Sequence, residues 1–340
     1  MSESPSTMRA LMLTDFNRLE LQAVPVPRPE RPDDVLIRVH AASVCGSDLH
    51  GYTGKTGRRK PPLIMGHEAA GEVVAVGESV QSVQPGDRVA LHPLIYRPDP
   101  ATGRVVRQMI GMNLPGAYAE YTVVPESNVY PLPDTLPYAT AALTEPTAVA
   151  VHAVGLGRIR PYDRALVIGA GTIGLLTMQV LKLAGASEIA VSDVSETRLA
   201  AARQMGATRI INPAANDFAA FVADATGGQG FDIVFEAVGI SATVGQSLRA
   251  IRDGGAIVWI GNSERIVEVD MQAIVTRELQ IVGSYGMNEC DFRRALAMLS
   301  DDRIDVEHLI SRRAALEEGP TLFDELLRDE AVVKCVIEIP

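Results

Sequence analysis

Within "SVCGSDLHGY", Ser43 to Tyr52, a thiol (Cys45), a hydroxyl (Ser47), a carboxylate (Asp48) and an imidazole (His50) fall within six residues, flanked by glycines. A lone cysteine is most often a small buried hydrophobe, and Gly-Ser-Asp is ordinary turn chemistry. Two other stretches carry donors of the kinds that bind zinc. "MGHEAAGEV" places His67 and Glu68 after Gly66 at a turn into a strand, and "LTEPTAVAVH" places Glu145 before a proline at the start of a helix. Thiolate, imidazole and carboxylate are all competent zinc ligands, and a catalytic zinc keeps one position for water or substrate. The separations, 67 − 45 = 22 and 145 − 68 = 77 residues, fit no short metal motif. On spacing alone, a zinc site and a thiol-bearing turn both remain open.

A second chemical signal is "LVIGAGTIGLL", where Gly169, Gly171 and Gly174 form G-x-G-x-x-G, with Thr172 and Ile173 between the last two, directly after an apolar strand and opening a helix. The three glycines serve a tight turn, close approach of backbone to a pyrophosphate, and close packing of helix on strand. The helix N-terminus adds free N–H groups and partial positive charge. Asp193 ends the next strand, 193 − 174 = 19 residues beyond the last glycine. There a carboxylate accepts from ribose hydroxyls and repels a 2′-phosphate, which favours NAD over NADP. Arg198, five residues on, is read either as flanking the adenine or as an exposed helix arginine.

The elements that must position these residues fall into two textures. Up to residue 150, short Val-rich runs broken by Pro and Gly, at 34–44, 71–77, 87–93 and 118–125, predict a compact β-barrel-like domain. From Ala141 the chain becomes Ala-rich and helical. Strand candidates at 165–169, 188–193, 208–212, 231–236, 256–260 and 279–283 then alternate with helices such as 197–206, stopped by Gly206. That alternation predicts a doubly wound parallel sheet. After Gly286 a charged helix and a final strand, "AVVKCVIEI", follow; residues 2–7 read as a loose tail.

The bulk numbers narrow the function classes. The 340 residues suit about two domains. A net charge of −11 argues against nucleic acid or an anionic membrane as partner. Only Cys45, Cys290 and Cys335 occur, which suits a reducing cytoplasm rather than a disulfide framework. The start shows no basic segment followed by an apolar run, so no secretory signal is expected. The apolar stretch 165–181 is short for a membrane span and reads better as strand, turn and helix.

In order along the chain, "CGSDLH", "GHEAAGEVVAVG", "GDRVA", "AEY", "TEPTAVAVHA" and "VIGAGTIG" resemble the zinc-dependent medium-chain dehydrogenases, from about Ala10 to the C-terminus. The resemblance is closest to the polyol branch, which includes sorbitol (L-iditol), galactitol-phosphate and threonine dehydrogenases. It implies a GroES-like β-barrel catalytic domain from residues 1–150 and 286–340, and a Rossmann NAD-binding domain from 151–285. It further implies zinc ligands Cys45, His67 and Glu68, with Glu145 binding zinc directly or holding its water. Ser47 would bond the reacting hydroxyl, His50 would pass its proton to solvent, and Asp48 would orient His67. Tyr52 is read either as a substrate-pocket residue or as a packed loop aromatic.

Two departures from the family matter. The lobe "LHPLIYRPDPATGRVVRQMIGMNLPGAY" has no cysteine, so the family's structural zinc is expected to be absent and only one catalytic zinc per subunit present. His92 and Asp99 do not make a closed site there; His92 is taken as structural. The resemblance also calls for an arginine near Gly286 in sorbitol dehydrogenases, and its loss counts against sorbitol itself. His40 and His152 are taken as core or buried polar, His308 as surface, and Cys290 and Cys335 as inert thiols. The edge strand "ELQIVGSY" is expected to pair with its mate in a homodimer or homotetramer. The resulting expectation is NAD-dependent oxidation of a secondary alcohol, on a polyol or sugar derivative. The alternatives are a zinc-free NADPH quinone or enoyl reductase, and a non-catalytic NAD-binding protein. The first lacks the Cys, His-Glu and Glu set, and the second would be expected to have lost one of these residues.

Overall fold

The computed structural model describes residues 6–99, 101–329 and 331–340, and the chain divides into two compact units. Of the tail read at 2–7, residues 2–5 lie outside the described residues, and Thr7 already opens a strand.

The first unit comprises Met1–Glu145, Leu299–Asp301 and Ile310–Pro340. Its centre is the strand Asp34–Val44, eleven residues long and buried at nine of them. One side of this strand pairs antiparallel with Glu68–Val76, with Ser43 opposite Glu68. Near its end it pairs with the C-terminal strand Lys334–Glu338, with Val44 opposite Cys335. It also pairs with Tyr121–Pro125 at its beginning. These partners, with Arg88–Leu91, Val129–Pro131 and Ile310–Ala315, make a seven-stranded sheet. The hairpin Thr7–Asp15/Arg18–Pro25, joined by Leu63–Ile64, forms a second sheet. The core includes Leu11, Ile37, Val39, Val73, Val89, Tyr118, Phe323 and Ile337. The cysteine-free lobe is built as the hairpin Leu94–Pro98/Val105–Met109. Its turn is held by the Asp99 carboxylate, which accepts from the Ala101 and Thr102 amides at 2.9 Å each.

The second unit comprises Pro146–Met298 and Asp302–Leu309. Its six strands are all parallel and lie in the order Arg209–Ile211, Glu188–Ser192, Arg164–Ile168, Phe231–Glu236, Ile251–Trp259, Gln280–Gly283. This is the 3-2-1-4-5-6 order of the dinucleotide-binding sheet. The charged helix Glu289–Ser300, which the sequence reading grouped with the first unit from residue 286, groups with the second unit through Met298. No helix of the described residues is long and apolar enough to cross a membrane. The 165–181 stretch resolves into the strand Arg164–Ile168 and the helix Thr172–Leu183.

Candidate active site

The stretch read as a turn is a seven-residue helix, Gly46–Tyr52. Cys45 immediately precedes it, and the Cys45 amide donates to Asp48 Oδ2 at 3.1 Å, so the aspartate in the first turn ties down an otherwise orphaned N–H. Ser47 and His50, three residues apart, share one face of this helix. Gly66 supplies the turn that brings in the next donors. Its φ of +92° favours glycine, and an added Cβ would meet the Tyr118 ring at 2.6 Å.

Cys45, His67 and Glu68 each present a ligand atom, and these atoms lie within 4.8 Å of one another. His67 and Glu68 are buried and Cys45 is half-buried. Glu68 reaches Cys45 because Ser43, two residues before the cysteine, is its direct cross-strand partner. Both Ser43 Oγ and Lys334 Nζ donate to Glu68 Oε2. Glu68 Oε1 is buried without a hydrogen-bond partner among the described residues, an arrangement a cation would complete. A thiolate, an imidazole and an oxygen with a free lone pair fit zinc by donor type.

Glu145 is buried but is not one of the three converging donors. Burial first, then the Glu68 and Asp48 charges, push its carboxyl up to about 8 against the opposing pull of His67 and Lys334. It therefore shares the electrostatic environment of the cluster.

A polar network supports these donors, and most of it is not legible in the sequence. Asp48 Oδ1 lies 3.3 Å from His67 Nδ1, as expected of a carboxylate that orients a ligating histidine. Its Oδ2 accepts from the Tyr118 hydroxyl at 2.7 Å. Arg59 is 1% exposed and donates to Asp48 Oδ1 at 2.6 Å, to the Ser47 carbonyl at 2.7 Å and to the Gly111 carbonyl at 2.8 Å. Burial alone would raise the Asp48 carboxyl, but His67 and Arg59 hold it well below the usual carboxylate range. Burial alone would lower His67, yet Asp48 and then Cys45 hold it well above its ordinary value. Lys334, 2% exposed, keeps its charge in the same way: burial opposes it, and Glu68 and Cys45 raise it. Arg59, Tyr118, Ser43 and Lys334 were all missed by the sequence reading. The one available signal was Lys334 itself, a charge with apolar neighbours on both sides in "AVVKCVI".

Other expected residues find settled places. Tyr52 is 1% exposed, packs 5.4 Å from the Phe323 ring, and donates to the Asn17 carbonyl and Asp324 at 2.9 Å each. Of its two readings, packing is the one the structure gives. His40 stacks on Tyr138 at 4.5 Å, His152 bonds Asp291 at 2.7 Å, and His308 is exposed beside Asp305. Cys335 is buried, which pushes its thiol up to about 11, whereas Cys290 is exposed.

The glycine-rich turn matches its expected geometry. A Cβ on Gly174 would stand 1.7 Å from the Gly169 carbonyl oxygen, so helix and strand pack too closely for any side chain. A Cβ on Gly171 would meet nothing within 4 Å, leaving open space at the start of the helix that Thr172 and Ile173 begin. Asp193 accepts from the Ala170 amide at 2.6 Å and from the Ser195 amide at 2.8 Å. Each carboxylate oxygen has two acceptor sites, so ribose hydroxyls can still be received. Arg198 Nε is buried without a partner among the described residues. This loop and helix fit a dinucleotide.

Replacing Arg59 tests the network. Arg59→Met takes the guanidinium from the buried Asp48 carboxylate and leaves it His67, the Tyr118 hydroxyl and the Cys45 amide; breaking a buried ion pair typically costs about 3–5 kcal/mol. Chemical denaturation of the variant should show a loss of that order, with faster zinc removal by a chelator. Unchanged stability and zinc retention would show that Arg59 does not hold the site together.

Comparison with known proteins identifies the family. Residues 31–134 match the family model of the alcohol dehydrogenase GroES-like domain, and residues 172–301 that of the zinc-binding dehydrogenases. The D-xylulose reductase of Saccharomyces cerevisiae is 31% identical over 98% of this chain and 99% of its own. The sorbitol dehydrogenase of Bacillus subtilis is 32% identical over 95% of each chain. Among solved structures, a chain from Sinorhizobium meliloti 1021, described as a zinc-binding dehydrogenase and bound to NADP, superposes with a TM-score of 0.88 at 32% identity, covering 98% of this chain and all of that one. The chain therefore belongs to the zinc-dependent medium-chain dehydrogenases, in the polyol dehydrogenase branch, and is an oxidoreductase with a GroES-like domain and a Rossmann domain.

Proposed function

We propose that the protein oxidises a secondary hydroxyl of a polyol or sugar derivative with NAD, using one zinc per subunit held by Cys45, His67 and Glu68. The observation that carries this reading is the convergence of those three donors, two of them buried, at the start of the helix that carries Ser47 and His50. Zinc would supply Lewis-acid polarisation of the substrate oxygen, and the nicotinamide would take the hydride. Glu145, whose carboxyl is pushed up by its burial, stands beside the cluster as a proton-holding group or an alternative ligand.

The remaining work falls to the short helix. Ser47 Oγ accepts the proton of the substrate hydroxyl while its own proton passes towards the His50 imidazole and solvent. Arg59 fixes the serine through its carbonyl. His50 lies below its ordinary pKa, first through burial and then through the Lys55 and Arg59 charges. At neutral pH it is therefore unprotonated and able to accept.

These roles separate experimentally. Zinc analysis should read near one per subunit in the unaltered protein, and Cys45→Ala should lose both zinc and turnover. His50→Ala should keep zinc and lose rate, by up to about 10²-fold for a positioned acid–base group. The loss should be larger at neutral than at alkaline pH, where hydroxide replaces the missing acceptor. Full zinc and activity in Cys45→Ala would overturn the assignment.

Cofactor choice rests on Asp193. A 2′-phosphate would face its carboxylate, so kcat/KM should favour NAD, and Asp193→Ser should narrow the preference. Equal use of NADP by the unaltered enzyme would contradict this; the NADP in the Sinorhizobium meliloti structure makes it a direct comparison.

A further inference from the structure

One buried acid at the carboxyl end of the parallel sheet takes no part in the metal cluster or the proton path. Glu236 closes the strand Phe231–Glu236 and is fully buried. Its Oε1 accepts from the Val238 amide at 2.9 Å and from the Gly239 amide at 2.7 Å. Its Oε2 is buried without a hydrogen-bond partner among the described residues. A buried polar atom left unpaired works against folding, and a residue kept only for stability would not carry one. What the carboxyl secures is the shape of the loop 237–239.

That loop lies where the strand order of the sheet reverses, between Arg164–Ile168 and Phe231–Glu236, which pair with Ile168 opposite Glu236. Dinucleotides bind in the crevice outside the carboxyl ends of the strands at such a point. One lip of the crevice is the glycine turn that follows Ile168, and the other is 237–239. The two lips touch. The Ala237 amide donates to the Ile168 carbonyl at 2.8 Å, and a Cβ on Gly169 would meet Val238 Cγ2 at 2.6 Å. On its far side the loop is pressed against the chain after the next strand. Gly239 has a φ of +79°, and a Cβ there would stand 2.2 Å from the Asn262 nitrogen. The Glu236 carbonyl accepts from the Ile260 and Gly261 amides at 2.8 and 3.0 Å. Asp193 ties the glycine lip through the Ala170 amide, and Glu236 ties the opposite lip in the same way.

We infer that Glu236 is a positioning residue for the dinucleotide. It holds Val238 and Gly239 against Gly169 so that the crevice keeps the width the cofactor needs, and, being sealed from solvent, it does not touch the cofactor itself. This rests on the dinucleotide reading of the glycine turn and not on the identity of the alcohol. The reach of the side chain is the operative property. An oxygen two methylenes out from Cα meets both amides; glutamine retains it, aspartate is one methylene short, and leucine has none.

The test uses the full-length, zinc-loaded protein with NADH as the ligand, its binding read by nucleotide fluorescence beside zinc content and melting temperature. Binding is measured well below each melting temperature, so that folded protein is compared with folded protein. Glu236→Leu and Glu236→Asp should each raise the Kd for NADH by about tenfold or more, since two hydrogen bonds hold the loop. Glu236→Gln should bind NADH as the unaltered protein does. Zinc content should be the same in all three, because the zinc donors belong to the other unit. Should Glu236→Leu fail to fold, the contrast between the aspartate and glutamine variants decides alone. Lower melting temperatures with unchanged NADH affinity would make Glu236 a purely structural residue and overturn the inference. So would a glutamine variant as weak as the aspartate one, which would show that charge and not reach is what counts. An unaltered protein that binds no NADH would sink the dinucleotide reading and this inference with it, whereas tight binding by every variant would sink this inference alone.

Discussion

Two ion pairs buried under one sheet end hold the rest of the site in place: Asp48 with Arg59, and Glu68 with Lys334. All four side chains are at most 2% exposed. Charges removed from water this completely are costly, and their mutual attraction offsets the cost only when the geometry is good and the remaining donors are satisfied. Here Arg59 spends its fork on two carbonyls and a carboxylate, and Lys334 adds the Val44 carbonyl at 3.1 Å. The yield is orientation. Asp48 lies against the His67 ring, and Lys334 occupies one oxygen of Glu68 and leaves the other without a hydrogen-bond partner among the described residues. A metal held by donors oriented in this way would need little reorganisation on loading.

Strand register is what lets residues so far apart in sequence meet. Ser43 opposite Glu68 and Val44 opposite Cys335 place a helix start, a turn and the chain's last strand around one point. Shifting either pairing by one residue would turn Glu68 or Lys334 to the other face of the sheet. The long buried strand Asp34–Val44, paired along both edges, makes such a slip expensive.

The same point explains what could be read from the sequence. The parallel sheet was legible because each strand is a short apolar run between helices, and the glycine signature because its steric reasons are local. Cys45, His67 and Glu68 became a set only through the order of six segments, since their spacing is uninformative. Arg59, Tyr118 and Lys334 were hidden, because their partners are 11, 70 and 266 residues away and only the tertiary fold unites them. The helix Gly46–Tyr52 passed for a turn because seven residues with two glycines are too short to show a helical period. The strand Thr7–Asp15 was missed for a different reason: Met, Arg, Ala and Leu dominate it in place of β-branched residues.

The central claim is that these buried pairs prepare one site of mixed sulfur, nitrogen and oxygen donors for zinc. X-ray absorption at the zinc edge reads the donor set directly. One sulfur per zinc at about 2.3 Å, with the remaining ligands nitrogen or oxygen at about 2.0–2.2 Å, is the expected result. That sulfur should vanish in Cys45→Ser. A spectrum without sulfur, or with two or more sulfurs per zinc, would place the metal elsewhere and contradict the claim.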